Sequence, residues 1–156
     1  MKPVKIPKLN VLLHIPDFRI STTWAYRELD KLREKRGKIV VGAKSLPRFG
    51  RHAAQVVERE QLTERAFSPM IALARLKAGD YVAASEVLHN DFEEIVFRLH
   101  PELKRIKALM LMSGADAALL SGSGSALYAV ARSSRVAPVQ RALQRKKIPF
   151  LSLETI

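Results

Sequence analysis

The sequence predicts an α+β domain built on one small antiparallel or mixed sheet with helices on one face. Three observations carry this. A short apolar run, Leu9 to Ile15, is closed by Pro16. Helical spacing then dominates the middle of the chain, and after Gly114 the apolar period drops from about 3.6 residues to about 2.

The run Leu9–Ile15 reads as a buried strand, since its Val-Leu-Leu centre is flanked by prolines. A loop from Pro16 to Ile20 leads to a helix. Ser21 or Thr22 caps it, Ala25, Leu29 and Leu32 share one face, and Gly37 supplies the stop. Trp24 and Tyr26 flank that stripe. The stretch 38–67 is basic and weakly patterned, with Gly42, Pro47 and Gly50 as breakers and one helix expected around His52 to Glu64. A further helix is expected from Ser68-Pro69 through Leu76, ended by Gly79, with Asp80 as another cap.

Asn90-Asp91-Phe92-Glu93 places an acid three residues after a capping side chain, the spacing of a capping box. The helix it opens should bury Phe92, Val96 and Leu99. His100-Pro101 ends that helix and starts the next, with Leu103, Ile106 and Met110 as its stripe. Ala117–Leu120 and Ser125–Ala131 then read as a hairpin across Ser-Gly-Ser-Gly, followed by a helix from Val136 to Lys147 with Pro138 in its first turn and a strand from Phe150 to Leu153. This β-α(n)-β-β-α-β order is that of a ferredoxin-like plait.

The 156 residues, 47% of them apolar, suit a single domain, 1–156, with one core. No cysteine is present, so disulfides and thiolate metal sites are excluded, and the four histidines lack the paired spacings of a zinc site. The basic N-terminus has no signal-type apolar run, and no stretch approaches the roughly 20 apolar residues of a membrane span. The expectation is a cytoplasmic protein with no membrane partner. A net charge of +12 favours polyanions, but with 6% aromatics and no interleaved pattern it reads first as solvated faces.

Chemistry-bearing patterns are sparse. Gly122 and Gly124 allow positive φ, and successive N–H groups in such a loop form an anion-binding nest; a plain hairpin turn explains the same residues. No Lys-Ser or Lys-Thr pair follows to make a Walker loop. Tyr26 offers a flat face for a base or a core-edge ring. His14 reads as a hydrogen-bonded core histidine, Asp91 as a helix-dipole charge and Asp116 as a turn residue. No carboxylate pair, nucleophile triad or metal constellation is legible.

Four segments, Ser21–Asp30, Asn90–Glu93, His100–Glu102 and Gly114–Ser125, occur in an order that resembles the C-terminal domain of the GHMP kinases. Within them, the resemblance is to the 4-diphosphocytidyl-2-C-methyl-D-erythritol kinase family of non-mevalonate isoprenoid biosynthesis. It implies a two-domain enzyme that phosphorylates a hydroxyl of the methylerythritol moiety with ATP and Mg2+, the cofactors of the complete enzyme and not of this chain. The same likeness matches Tyr26 to an aromatic that stacks on cytosine and Thr22 to a residue lining the methylerythritol pocket. Gly122 and Gly124 match the superfamily's third motif.

The phosphate loop and the catalytic Lys and Asp of the N-terminal half have no counterpart in this sequence. The implied partners are therefore a cytidyl-methylerythritol-type small molecule and the missing N-terminal kinase half, in cis or in trans. The chain alone is expected to be catalytically inactive. Two other readings use the same residues: a basic module with nonspecific polyanion or RNA binding, and a scaffold domain pairing through an apolar surface.

Overall fold

The computed structural model describes residues 8–43, residue 78 and residues 88–155. Its elements in chain order are β1 (Asn10–His14), α1 (Thr22–Ala43), α2 (Phe92–Leu99), α3 (Pro101–Met112), β2 (Ala117–Leu120), β3 (Leu127–Ala131), α4 (Ser133–Arg145) and β4 (Leu151–Glu154). The strands form one antiparallel sheet in the order β2-β3-β1-β4. This is the plait predicted from the pattern order. The helices expected around His52–Glu64 and from Ser68 to Leu76, and the cap at Asp80, lie outside the described residues.

Register explains which residues meet the helices. Leu12 pairs with Ala129, and Ala129 with Ala118, while His14 and Leu120 both lie opposite Leu127. These residues are buried and share one face, as a period of 2 requires. Helix α3 packs across β2 and β3, and α4 across β1 and β3. Leu12, Ala118 and Ala129 join Met110, Val139 and Leu143 in one cluster; Leu120 and Leu127 join Ala25, Leu29, Val96 and Leu103 in a second. Ile106 packs against both, so α3 is the spine of the core. Burying each such leucine contributes about 2 kcal/mol.

Local chemistry sets the element ends. At the end of α3 the Gly114 N–H donates to the Leu111 carbonyl and the Ala115 N–H to the Met110 carbonyl, the paired bonds of a Schellman motif. The His14 ring donates through Nδ1 to the Pro149 carbonyl at 2.8 Å, so this buried histidine is a hydrogen-bonded core residue, as expected.

Four local expectations are corrected. Helix α1 does not stop at Gly37 but runs on to Ala43, into the stretch 38–67; a glycine inside a helix costs about 1 kcal/mol, too little to end it. Leu99 is exposed and Ile95 buried instead, because α2 is only eight residues long and packs its middle on α1 and α3. Helix α4 begins at Ser133 rather than Val136, which puts Pro138 inside it. Asp116 is no simple turn residue. Its buried carboxylate accepts the Arg132 N–H at 2.8 Å and binds the Arg132 and Arg135 guanidiniums at 2.9 and 3.2 Å, fastening the start of α4 to that of β2.

Candidate functional site

β2 is an edge strand, so the last backbone groups on its outer side need partners from elsewhere. The start of α2 supplies them. The Glu93 carboxylate accepts the Leu120 N–H at 2.9 Å, and the Asn90 side-chain amide donates to the Leu120 carbonyl at 2.7 Å. A strand residue's N–H and C=O point the same way, so one residue's two groups meet two neighbouring side chains.

The expected capping box therefore does not form. Asn90 Oδ1 accepts the Phe92 N–H at 3.0 Å, but Glu93 turns away from Asn90 and towards the sheet edge, where Lys107 neutralises it at 2.5 Å. The tertiary acceptor site at Leu120 replaces the local one.

The loop that follows, Ser121–Ala126, is held on three sides. Asn90 Nδ2 also donates to the Gly122 carbonyl at 2.9 Å. Thr22 and Ser123 share a hydroxyl hydrogen bond at 3.1 Å, and the Ser125 hydroxyl donates to the Phe18 carbonyl at 2.6 Å. Gly122 has φ +56° with no atom near its missing side chain, whereas at Gly124, φ +92°, a Cβ would lie 3.0 Å from Ile20 Cδ1. The two glycines thus do different things: Gly122 is open, and Gly124 lets the loop close over the core.

Beside this loop lies a cavity of about 540 Å³ lined among others by Tyr26, Arg33, Asn90, Phe92, Gly122 and Tyr128. Tyr26 is 55% exposed, packs edge-to-face with Phe92 with ring centres 5.0 Å apart, and lines the cavity. Arg33 pairs with Asp91 at 2.9 Å, and His89 with the same carboxylate at 3.1 Å. Burial, and secondarily the negative charge of Glu93, pushes the Tyr128 phenol above its ordinary value.

Of the four residues singled out in the sequence, Tyr26 and Gly122 line the cavity together. Thr22 touches the loop through Ser123 but is not among the lining residues, and Gly124 faces Ile20 and Leu120. The residues that sequence reasoning left at a lesser role are Asn90, Glu93 and Lys107. Asn90 and Glu93 were visible only as a helix start.

A family model of the GHMP kinases C terminal matches residues 70–149, which span α2, α3, β2, β3 and α4. The chain belongs to the GHMP kinases. Its match is to their C-terminal domain, and 4-diphosphocytidyl-2-C-methyl-D-erythritol kinases are among its relatives. That of Nitratidesulfovibrio vulgaris is 32% identical over 127 residues, 79% of this chain and 33% of the relative. That of Thermodesulfovibrio yellowstonii is 33% identical over 129 residues, 82% of this chain and 36% of the relative. A crystal structure of a 4-(cytidine 5'-diphospho)-2C-methyl-D-erythritol kinase superposes with a TM-score of 0.58 at 23% identity, covering 98% of this chain and 45% of that one, which shows the fold. The chain spans about a third of the length of the curated relatives it matches. In this GHMP kinase C-terminal domain the cavity, the glycine loop and the N-terminal turns of α1 and α2 lie together.

Among the described residues no three His, Asp or Glu side chains converge as a metal would require, and no helix is long and apolar enough to cross a membrane.

Proposed function

We propose that this chain is the substrate-binding half of a kinase acting on 4-diphosphocytidyl-2-C-methyl-D-erythritol or a close cytidyl analogue, and that it has no phosphoryl-transfer activity alone. The observation that carries this is the half-exposed Tyr26 ring, packed edge-to-face with Phe92 and lining one cavity with Gly122. The names of the relatives give the substrate class.

In this reading Tyr26 stacks on the cytosine, with Phe92 holding the ring, and Thr22 and the loop stand by the methylerythritol and phosphate portion. ATP supplies the phosphoryl group, with Mg2+, in the complete enzyme. In this reading the metal, like ATP, belongs with the partner half, in cis or in trans. Transfer needs charge neutralisation around the polyphosphate, and this chain's sequence lacks the phosphate loop, Lys and Asp that provide it.

An amide NMR titration of the chain with the cytidyl-methylerythritol substrate tests it. Shifts should centre on Tyr26 and Gly122 and vanish in Tyr26→Ala. No shift in the wild-type chain, or ATP-dependent phosphorylation by the pure chain, sinks the proposal.

One observation favours a second reading. Arg141, Arg145, Lys146 and Lys147 are all exposed at the end of α4, and none takes part in an ion pair among the described residues. Nonspecific polyanion binding would then centre there. Oligonucleotide affinity should fall steeply with salt and be indifferent to Tyr26→Ala; a salt-independent affinity rejects it.

A further inference from the structure

Asn90 reaches two backbone stretches far apart in sequence. Its Oδ1 accepts the Phe92 N–H at 3.0 Å, while its Nδ2 donates to the carbonyls of Leu120 at 2.7 Å and Gly122 at 2.9 Å. In a trans peptide the carbonyl and the following N–H point in opposite directions. The Leu120–Ser121 unit shows the consequence: with its carbonyl on Asn90, the Ser121 N–H points back into the hairpin and donates to the Ala126 carbonyl at 2.8 Å. The Gly122–Ser123 unit is also trans and is held the same way, so the Ser123 N–H is turned away from Asn90. There it has no acceptor among the hydrogen bonds of the described residues, and neither has the Gly122 N–H. Two successive free N–H groups beside a positive-φ glycine are the donor set that anion-binding nests use.

We infer that Asn90 is a positioning residue: by clamping the Gly122 carbonyl it aims the Ser123 N–H at a phosphate oxygen of the bound ligand. This rests on the proposed kinase-substrate reading for the identity of the ligand, and on hydrogen-bond geometry alone for the clamp. The phosphate belongs either to a cytidine diphosphate or to the end of ATP. Glu93, on the Leu120 N–H, holds the same strand end from the same side. Thr22 meets the Ser123 side chain, so the residue being aimed is also tied to α1.

Asn90→Asp separates this role from helix capping, because the carboxylate still accepts the Phe92 N–H but can no longer donate to either carbonyl. Amide hydrogen exchange at Ser121 and Gly124, whose N–H groups donate within the loop to the Ala126 and Ser121 carbonyls, should quicken about tenfold or more, with core amides such as Leu12 and Met110 unchanged. In the uncharged Asn90→Ser, which adds no carboxylate to repel a phosphate, the affinity for CDP should fall about tenfold, the strength of a hydrogen bond to a charged group, while that for cytidine, which has no phosphate, stays within about twofold. ATP in place of CDP distinguishes the two phosphate sources by which one moves the Ser123 amide. Unchanged loop exchange overturns the clamp, and equal losses for CDP and cytidine overturn the phosphate role. If the wild-type chain binds no cytidyl ligand, the kinase-substrate reading fails while the exchange experiment still decides the clamp. Should Asn90→Asp not fold, Asn90→Ser keeps a short capping acceptor without the reach and is read in the same way.

Discussion

Glu93 and Lys107 form an ion pair of 2.5 Å in which the two side chains are only 13% and 23% exposed. The pair joins α2 to α3, and the same carboxylate holds the end of β2 through the Leu120 N–H. Little solvent reaches it, so neither charge is indifferent to loss of the other.

Lys107→Met should therefore cost about 2 kcal/mol, since an acid left without its cation in a mostly buried place pays its desolvation uncompensated. The double variant with Glu93→Gln should recover part of that loss. Urea unfolding of both variants measures it, and a single variant as stable as wild type would mean the pair is solvent-screened.

Tyr128 gives a pH signature. Its folded phenol ionises above the ordinary value because burial, then the Glu93 charge, disfavours the phenolate. The unfolded phenol loses its proton near pH 10 while the folded one keeps it, so this contribution is complete below about pH 10 and is lost as pH rises through the folded value. Tyr128→Phe should flatten the decline of stability above pH 10. An ultraviolet titration in which all tyrosines ionise together at the free value would contradict the assignment.

The two loop glycines should separate by stability. Gly122→Ala meets open space and pays only for left-handed backbone, about 1 kcal/mol. Gly124→Ala also drives a methyl to 3.0 Å from Ile20 Cδ1, and should cost about 2 to 3 kcal/mol. Thermal melting of both decides it, with equal losses as the adverse result.

Asp116→Asn removes the charge on which Arg132 and Arg135 converge at the start of α4. About 2 kcal/mol should be lost, and exchange should quicken first in the first turn of α4. Chemical denaturation followed by exchange-detected NMR reads both, and intact protection of the Arg132 and Arg135 amides would reject the fastening role.

Among the described residues the pattern located the strands of the sheet, and in β1 and β3 burial of one face imposes the repeat of 2, whereas β2 is buried and β4 exposed along its whole length. Gly114 and His100-Pro101 were legible because their effect is on their own backbone. Gly37 misled because a glycine lowers helix stability by only about 1 kcal/mol and so does not by itself end a helix. Asn90 and Glu93 looked like partners of each other at the three-residue spacing. The structure gives them to Leu120 and Gly122 instead, and no spacing announces a bond across thirty residues.

By itself the sequence determined the α+β class, the hairpin with its glycine turn, the family motifs and the absence of a phosphate loop, all of which are local in the chain. Only the tertiary structure decided that Tyr26 and Gly122 share a cavity while Gly124 serves the core, and that Asn90, Glu93 and Lys107 hold the loop. The reason is that an edge strand leaves backbone groups unpaired, and which side chain satisfies them depends on how α2 is packed against the sheet.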